Sequence, residues 1–288
     1  MLSNAILSPA DDRDYPVTAA LDISSDPIPE DFEVWQPPTI ENQGSTGNCV
    51  AQALANILEC IEHQRSGEHK DYSVGYIYGM SSIPLNAGMI MRDACKVVLD
   101  EGDVLREVWE CYDENPMCHD KRINLPQEIR DKAKKLISAY IRINTKEELQ
   151  RYMMRYKLPV MISAKATDYH PLSGSGYHAT ACYGWMSKET YDKEFGGWEY
   201  EDLKYTNSWG AFNAKSAINF DKLREIWGFI PMEDFKPTDI QGHWCEKDAM
   251  ELVNRGIIKG YEDGTIRPDA PITRAEVFTL LARVLKEE

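Results

Sequence analysis

A cysteine stands where a turn-rich loop gives way to an apolar, helix-forming stretch. The loop, residues 43–48, is rich in glycine, serine, threonine and asparagine and ends directly at Cys49. From 49 to 62, apolar residues recur at steps of three and four, which predicts a helix with one buried face. The first turn of a helix stabilises a thiolate through its unpaired N–H groups and the positive end of its dipole. Cys49 is therefore a candidate nucleophile, and the alternative interpretation is a small buried hydrophobic residue.

A nucleophilic thiol needs a base, and two of the six histidines are candidates for this role. His178 leads directly into the strand-like stretch 179–184, so a rigid element would hold its ring. His170 precedes a proline in a predicted loop, where a mobile surface histidine is the simpler interpretation. We therefore expect His178 to be the base.

Two side-chain amides complete the candidate set. Asn207 follows a predicted strand and precedes the large indole of Trp209, and its amide could orient the far ring nitrogen of His178. Gln43 lies six residues before Cys49 and could donate its amide N–H to an oxyanion beside the backbone N–H of that cysteine. Thiol, base, orienter and oxyanion donor are the groups that acyl transfer through a thioester requires.

The composition is that of a globular chain with an acidic surface. Of the 288 residues 43% are hydrophobic, and this length suggests two domains. The 47 acidic and 32 basic residues give a net charge of −15, which repels phosphate backbones and argues against nucleic acid as a partner. Seven cysteines favour reduced thiols with one specialised cysteine over a disulfide framework. We expect neither a cofactor nor a bound metal ion.

No part of the sequence has the length and hydropathy of a membrane span. No apolar run approaches ~18–20 residues, and residues 1–10 lack the basic and apolar character of a secretory signal. We therefore predict no membrane span and a cytoplasmic location. The alternative, for a processed or phage-encoded protein, is a cell surface or a virion.

The elements that must hold the candidate residues change from helical to extended along the chain. Residues 1–34 show no periodicity and are predicted to form an extended arm that straps onto the body. Helices are predicted at 49–62, 89–101 and 146–156, and strands at 159–164, 178–183 and 203–206. A helical part followed by a sheet part predicts an α+β fold with a cleft between the two parts.

A second unit, residues 236–288, follows the sheet part. A short amphipathic helix and a turn precede Thr273 and Glu276, which form a capping box at the start of another helix. A helical unit of this size buries too little apolar surface to be stable alone. We therefore expect it to dock on the main domain or on copies of itself.

Three blocks resemble the signature blocks of papain-like cysteine peptidases, in the order and at the spacing of that family. They are residues 43–49, 176–179 and 207–210, and the resemblance predicts a peptidase domain at 35–235. It implies a two-part α+β fold and hydrolysis of peptide bonds in a peptide or protein substrate through a thioester.

The resemblance also assigns four catalytic roles, which are nucleophile for Cys49, general base and acid for His178, orienter for Asn207 and oxyanion donor for Gln43. Two family positions differ here. Thr46 replaces a cysteine, and Val50 replaces an aromatic residue. Loss of that cysteine removes a disulfide partner and agrees with a reduced compartment or with bacterial and viral members of the family.

A second resemblance concerns substrate binding. Residues 86–89 are similar to the family's Asn-Gly-Gly stretch, whose backbone pairs with an extended substrate like an added strand. This implies that Gly88, Met89 and Ala179 contact substrate, with an apolar preference in the pocket beside the last two. Trp209 would shield the site. The alternative is that residues 86–89 form only a turn into the next helix.

The second unit resembles one S-layer homology repeat, in the pair His243-Trp244 and in residues 256–261 and 272–276. Such repeats bind secondary cell-wall polysaccharide, and the resemblance makes Arg274, with Trp244, the glycan-binding residues because a guanidinium suits carboxylates. The family usually combines three repeats. A single copy implies association between chains, and we expect a homo-oligomer formed through this module.

The sequence thus predicts a cysteine endopeptidase with a module for cell-wall binding or oligomerisation. Two alternatives stay open. The papain-like body could be a non-catalytic scaffold for a cell-wall anchor, or the same thiol chemistry could act as a transpeptidase or amidase on cell-wall peptides.

Overall fold

The computed structural model describes residues 5–9, 26–38, 42–44, 46–80, 88–109, 125–169, 176–196, 199–208, 216–232, 237, 239–254, 257–258 and 265–284. The chain divides into two compact units, Met1–Pro231 and Met232–Glu288. The three-part division predicted from the sequence, with boundaries after residues 34 and 235, stays a prediction.

The first unit contains six described α-helices. They are α1 (Cys49–Ser66), α2 (Val74–Met80), α3 (Met91–Asp100), α4 (Gln127–Arg130), α5 (Lys146–Tyr156) and α6 (Lys188–Glu194). The predicted helix at 146–156 is confirmed as α5, which starts with a capping box between Thr145 and Glu148. The predicted helix at 89–101 is shorter, because residues 89 and 90 pair as a strand before α3 begins.

Helix α1 is the central helix of this unit. Its first 14 residues, from Cys49 to Glu62, are all buried, so the prediction of one buried face is wrong. The physical reason is that α1 packs against the sheet and also against α2 and α3. The two carboxylates on its buried surface are compensated, because Glu59 contacts His69 and Glu62 contacts two lysines. The helix ends at Gly67, whose φ of 73° permits the left-handed cap.

Nine strands of one sheet lie in the described part of the chain. They are β1 (Ala5–Ile6), β2 (Phe32–Glu33), β3 (Met89–Ile90), β4 (Ile137–Arg142), β5 (Val160–Lys165), β6 (Tyr177–Trp185), β7 (Leu203–Thr206), β8 (Ser216–Ile218) and β9 (Leu223–Pro231). The main order is β3-β1-β6-β5-β9-β4, while β2 and β7 also pair with β6 and β8 pairs with β7. The three strands predicted from the sequence are confirmed as β5, β6 and β7. Their apolar, β-branched and aromatic residues are buried in one core with α1.

A segment from the N-terminal part of the chain also pairs with strand β6. Strand β2 pairs with the end of β6, where Phe32 lies opposite Trp185 and Glu33 opposite Gly184. The Phe32 and Trp185 rings stack at a centroid distance of 4.6 Å, and the indole N–H of Trp185 donates to Pro29 O at 2.9 Å. Residues 29–34 therefore lie against the end of β6.

The second unit contains α7 (Glu246–Asn254) and α8 (Arg274–Val284). The predicted capping box at α8 is present, since Thr273 accepts from Glu276 N–H while the Glu276 carboxylate accepts from Thr273 N–H. None of the residues of α8 is buried, and Phe278 and Leu281 are 67% and 54% exposed. This unit thus leaves much of its apolar side chain surface uncovered.

Glycine at position 184 is required by the close approach of β2. A Cβ at this position would overlap the carbonyl oxygen of Phe32 and lie 3.0 Å from Glu33 Cα. We predict that Gly184→Ala lowers the free energy of unfolding by more than about 2 kcal/mol, because backbone must move on one side of the pairing. Chemical denaturation measures the change.

The matched control is Gly79→Ala in α2, where the added Cβ makes an ordinary 3.4 Å contact with Leu125. This variant should change the free energy of unfolding by less than about 1 kcal/mol. Equal effects of the two substitutions would contradict the described pairing of β2 with β6.

Candidate active site

Cys49 is the first residue of α1 and is fully buried. The preceding loop is tightly turned, since Thr46 N–H and Thr46 Oγ1 both donate to Gln43 O, at 3.0 and 2.5 Å. Asn48 makes no side-chain cap to the helix. The N–H groups of the first turn, together with the helix dipole, would stabilise negative charge on the Cys49 sulfur.

His178 and Asn207 are brought together by the pairing of β6 with β7. The His178 ring is at the start of β6, Asn207 directly follows β7, and His178 Nε2 lies 2.9 Å from Asn207 Oδ1. The same oxygen accepts the backbone N–H of Ser208 at 2.9 Å, which identifies it as the acceptor atom of the amide. Because an amide oxygen only accepts, Nε2 carries the proton of neutral His178 and Nδ1 holds the basic lone pair.

The environment of His178 keeps its ring neutral. The side chain is completely buried, and this burial lowers the pKa of His178 to about 4, while the hydrogen bond to Asn207 acts in the opposite direction. At neutral pH the ring can therefore accept a proton. A negative charge close by, such as a thiolate, would raise the affinity of the ring for a proton.

Gln43 is fixed in this region by Ser208. Ser208 Oγ donates to Gln43 Oε1 at 2.5 Å, and Gln43 N–H donates to Ser208 O at 2.8 Å. The amide nitrogen Nε2 of Gln43 donates to Thr46 O at 3.0 Å, a bond that uses one of its two hydrogens. The loop that ends at Cys49 and the segment that carries Asn207 are thus joined by hydrogen bonds.

Tyr169 is part of the site but was missed in the sequence. Its ring meets His178 edge to face at 5.2 Å and Tyr205 at 5.1 Å, and it is fully buried. Burial raises the pKa of Tyr169 well above its usual value, and the hydrogen bond to Thr180 acts in the opposite direction. Tyr169 directly follows the short turn after β5, and residue spacing carried no signal of its place beside His178.

The predicted substrate-binding residues lie at the neighbouring strands. Gly88 is buried with a φ of 81°, and Met89 in β3 is fully buried. Ala179 in β6 is 1% exposed. Trp209 and residues 86–87 lie outside the described residues. The roles assigned to these residues stay predictions.

Two polar residues lie beside Ala179 that the sequence did not indicate. Ser163 of β5 is opposite Ala179 of β6, and Glu225 of β9 is opposite Ser163, so the three side chains form one row across the sheet. Ser163 is fully buried and Glu225 is 3% exposed. The sheet therefore places a buried hydroxyl and a carboxylate next to the position where an apolar pocket was expected.

In the second unit, Arg274 is exposed at the start of α8 and Trp244 is 87% exposed. Among the described residues, no group of three or more metal-binding side chains is placed to hold a metal ion. None of the helices in the described part of the chain is long and apolar enough to cross a membrane.

Solved structures with the same fold are papain-like cysteine proteases. Xylellain, a cysteine protease from Xylella fastidiosa, matches with a TM-score of 0.61 and 18% identity, over 81% of this chain and 97% of that one. Digestive procathepsin L 3 from Tenebrio molitor matches with a TM-score of 0.58 and 15% identity, over 80% and 76%. The cysteine protease and lectin-like domains of Cwp84, a surface layer associated protein of Clostridium difficile, match with a TM-score of 0.51 and 16% identity, over 66% and 48%. The predicted papain-like α+β fold is confirmed.

The second unit contains an S-layer homology domain, matched at residues 238–278. A cellulosome-anchoring protein from Acetivibrio thermocellus is 52% identical over 48 residues, which are 17% of this chain and 11% of that protein. Outer membrane protein SlpA from Deinococcus radiodurans is 48% identical over 52 residues, 17% of this chain and 4% of that protein. The match thus spans about a tenth or less of each relative. The predicted S-layer homology module is confirmed.

The burial of His178 predicts a pH-dependent stability. In the unfolded chain the ring has an ordinary pKa near ~6.5, so only the unfolded state gains a proton as pH falls from about 6.5 to about 4. We predict that protonation of His178 in the unfolded chain lowers the free energy of unfolding by about 3 kcal/mol as pH falls over this range. Denaturation curves at several pH values measure it.

The variant His178→Gln isolates this contribution from those of the other titrating groups. Its free energy of unfolding should fall less steeply between pH 6.5 and 4 than that of the parent chain. Parallel pH profiles for the two proteins would show that the ring titrates normally in the folded state and would contradict its described burial.

Proposed function

We propose that the first unit is a cysteine endopeptidase in which Cys49, His178 and Asn207 act as nucleophile, base and orienter. The observation that carries the proposal is the bond from His178 Nε2 to Asn207 Oδ1, which leaves Nδ1 as the basic atom. The strand that holds this ring packs against α1, the helix that begins at Cys49. The papain-like fold supports the same assignment.

In the first half of the reaction, His178 Nδ1 takes the proton of the Cys49 thiol, and the sulfur attacks the carbonyl carbon of a peptide bond. The negative charge on the carbonyl oxygen is stabilised by the backbone N–H of Cys49 and by Gln43 Nε2–H. The carbon–nitrogen bond then breaks, and His178 gives its proton to the leaving amine. The acyl group stays on Cys49 as a thioester.

In the second half, a water molecule gives a proton to His178 Nδ1 and attacks the thioester carbon. The carbon–sulfur bond breaks, the product acid leaves, and Cys49 recovers its proton from the imidazole. A transpeptidase would use an amine in place of water at this step, and an amidase would differ only in its substrate.

We predict that Cys49→Ala lowers kcat/KM for cleavage of a fluorogenic peptide library by roughly 10³-fold or more, because no thioester can form. The matched control is Cys95→Ala, which removes a buried thiol of α3 outside this site. Its kcat/KM should stay within about threefold of the parent.

Full activity in Cys49→Ala would contradict the proposal. If neither the parent nor either variant cleaves peptides, but the parent is retained on purified cell wall, the result would support the alternative of a non-catalytic anchor. Release of ammonia from, or amine transfer to, cell-wall peptides would instead indicate the amidase or transpeptidase.

We also propose that the second unit associates the protein with a cell surface by binding cell-wall polysaccharide. The S-layer homology match supports this, as do the names of the relatives, one a cellulosome-anchoring protein and one an outer membrane protein. Arg274 is exposed and can bind carboxylates of a glycan, with the indole of Trp244 as an exposed apolar surface. The uncovered apolar residues of α8 support self-association through this module.

We predict that Arg274→Ala weakens binding of the full chain to purified cell wall by roughly tenfold, because a charge-assisted contact is lost. Co-sedimentation measures the bound fraction. The control is Arg224→Ala, an exposed arginine of β9, which should bind like the parent.

Equal loss in both variants would indicate non-specific attraction of positive charge and would contradict the assignment. Light scattering of the same samples tests self-association: the parent should exceed the mass of one chain, and Phe278→Glu should return it to a monomer. A monomeric parent would refute the oligomer.

A further inference from the structure

A second thiol lies at the start of α7, in the second unit. Cys245 directly precedes this helix, and its carbonyl oxygen accepts the N–H of Ala249 at 2.8 Å, as in the first turn of a helix. Among the five cysteines that the structure describes, Cys245 alone is not buried. A reagent in the solvent can therefore reach this sulfur more readily than it can reach the other described thiols.

His243 presents a basic nitrogen to this thiol. Its Nδ1 lies 3.1 Å from Cys245 Sγ and accepts the backbone N–H of Cys245 at 3.3 Å. Because Nδ1 accepts that N–H, the proton of the neutral ring is on Nε2. The lone pair of Nδ1 is thus placed to accept the thiol proton as well.

A carboxylate faces the other nitrogen of the ring. His243 Nε2 lies 3.4 Å from Asp269 Oδ1, and Asp269 belongs to the turn at residues 268–270 that precedes α8. A carboxylate in this position stabilises the positive charge that the ring gains when it takes the thiol proton. Thiol, imidazole and carboxylate are therefore arranged in series, from two separate parts of the second unit.

The charges at the start of α7 act on the thiolate in opposite directions. The N–H groups of the first turn and the helix dipole stabilise negative charge on Sγ. Glu246 and Asp248 lie in the same turn and act against it, and the Glu246 carboxylate is fixed there because it accepts Gly242 N–H at 2.8 Å. The protonated ring of His243, in contact with the sulfur, offsets these carboxylates. The reactive form is therefore an ion pair of thiolate and imidazolium.

We propose that Cys245 is a site of thiol–disulfide exchange with small disulfide molecules, and that His243 is its base. The thiol proton moves to His243 Nδ1, and the thiolate attacks one sulfur of a disulfide R–S–S–R. The sulfur–sulfur bond of the reagent breaks, and the leaving R–S⁻ takes the proton from Nδ1. Cys245 is thereby oxidised to a mixed disulfide with one R–S group, and the other is released in reduced form as R–SH.

This chemistry needs a thiolate and a proton acceptor but no oxyanion donor. It goes beyond the proposed functions of the two units and depends on neither of them. The test therefore uses the full chain carrying Cys49→Ala, in which the candidate nucleophile of the first unit cannot contribute. The probe is bis(2-hydroxyethyl) disulfide, which is uncharged and so is not repelled by the net charge of −15.

Acid quenching, digestion and mass spectrometry give the rate at which the mixed disulfide forms on Cys245. The reference is a synthetic peptide with the sequence of residues 237–247, which contains the same cysteine and histidine without the fold. We expect Cys245 to react about tenfold faster in the folded chain than in the peptide, although folding covers part of its side chain.

His243→Gln, whose side chain cannot take the proton, should lower the rate about tenfold. A merely structural loss at this position would uncover the thiol and raise the rate instead. The control Glu246→Gln removes a negative charge at the same helix start and should not lower the rate.

A folded chain that reacts no faster than the peptide, or a His243→Gln variant that reacts as fast as the parent, would overturn the proposal. If His243→Gln fails to fold, Asp269→Asn decides, because Asp269 is 85% exposed and its replacement leaves the packing intact. Its rate should fall about threefold, since a neutral amide does not offset the charge on the ring. An unchanged rate in this variant would overturn the proposal, and so would a disulfide-linked pair of chains in place of the mixed disulfide.

Discussion

The hydrogen bond between His178 Nε2 and Asn207 Oδ1 is the interaction on which the proposed chemistry of this protein depends. It decides which ring nitrogen carries the proton and therefore which one can act as a base. An aspartate in place of Asn207 would stabilise a charged ring at all times, whereas the neutral amide orients the ring and leaves its charge to be set by the thiol. Complete burial favours the neutral ring in the resting protein.

Strand β6 is the support that makes this bond possible. It carries His178 at one end, and its pairing with β7 brings Asn207, the residue directly after β7, within hydrogen-bond distance of the ring. The same strand pairs with β1, β2 and β5, so both described parts of the N-terminal region and the ring of Tyr169 are positioned by one element. Ser208, which follows Asn207, links this strand pair to the loop before Cys49 through its hydrogen bonds to Gln43. A change in the register of β6 would therefore move every group of the site at once.

The parts of the fold that the sequence predicts are those fixed by local patterns. The turn residues before Cys49 and the apolar period after it mark the start of α1, and the short stretch 203–206, with one aromatic and one β-branched residue, marks β7. The parts that it misses depend on pairing between distant segments. Residue 89 belongs to an apolar helical pattern, yet it is extended because it pairs with Ala5.

The residues of the candidate site also fall into those that the sequence predicts and those that it misses. The residue types and order of Gln43, Cys49, His178 and Asn207 are visible in the sequence, because each stands in a distinctive local block. Tyr169 and Glu225 stand in no such block. Tyr169 meets the His178 ring from the turn after β5, and the registers of β5 with β6 and with β9 place Glu225 in one row with Ala179. Ser163 and Glu225, which lie in one row with Ala179, have no signal in the sequence for the same reason, and the apolar pocket beside Ala179 stays a prediction.

The central claim, that Cys49 carries an acyl group during peptide cleavage, is tested most directly by trapping that intermediate. The full chain is mixed with a peptide ester, quenched in acid after milliseconds to seconds, digested and analysed by mass spectrometry. The account predicts an acyl group on the peptide that contains Cys49, which appears before product and disappears as water hydrolyses the thioester. Turnover of the ester without an acyl group on Cys49, or with the group on another residue, would contradict it.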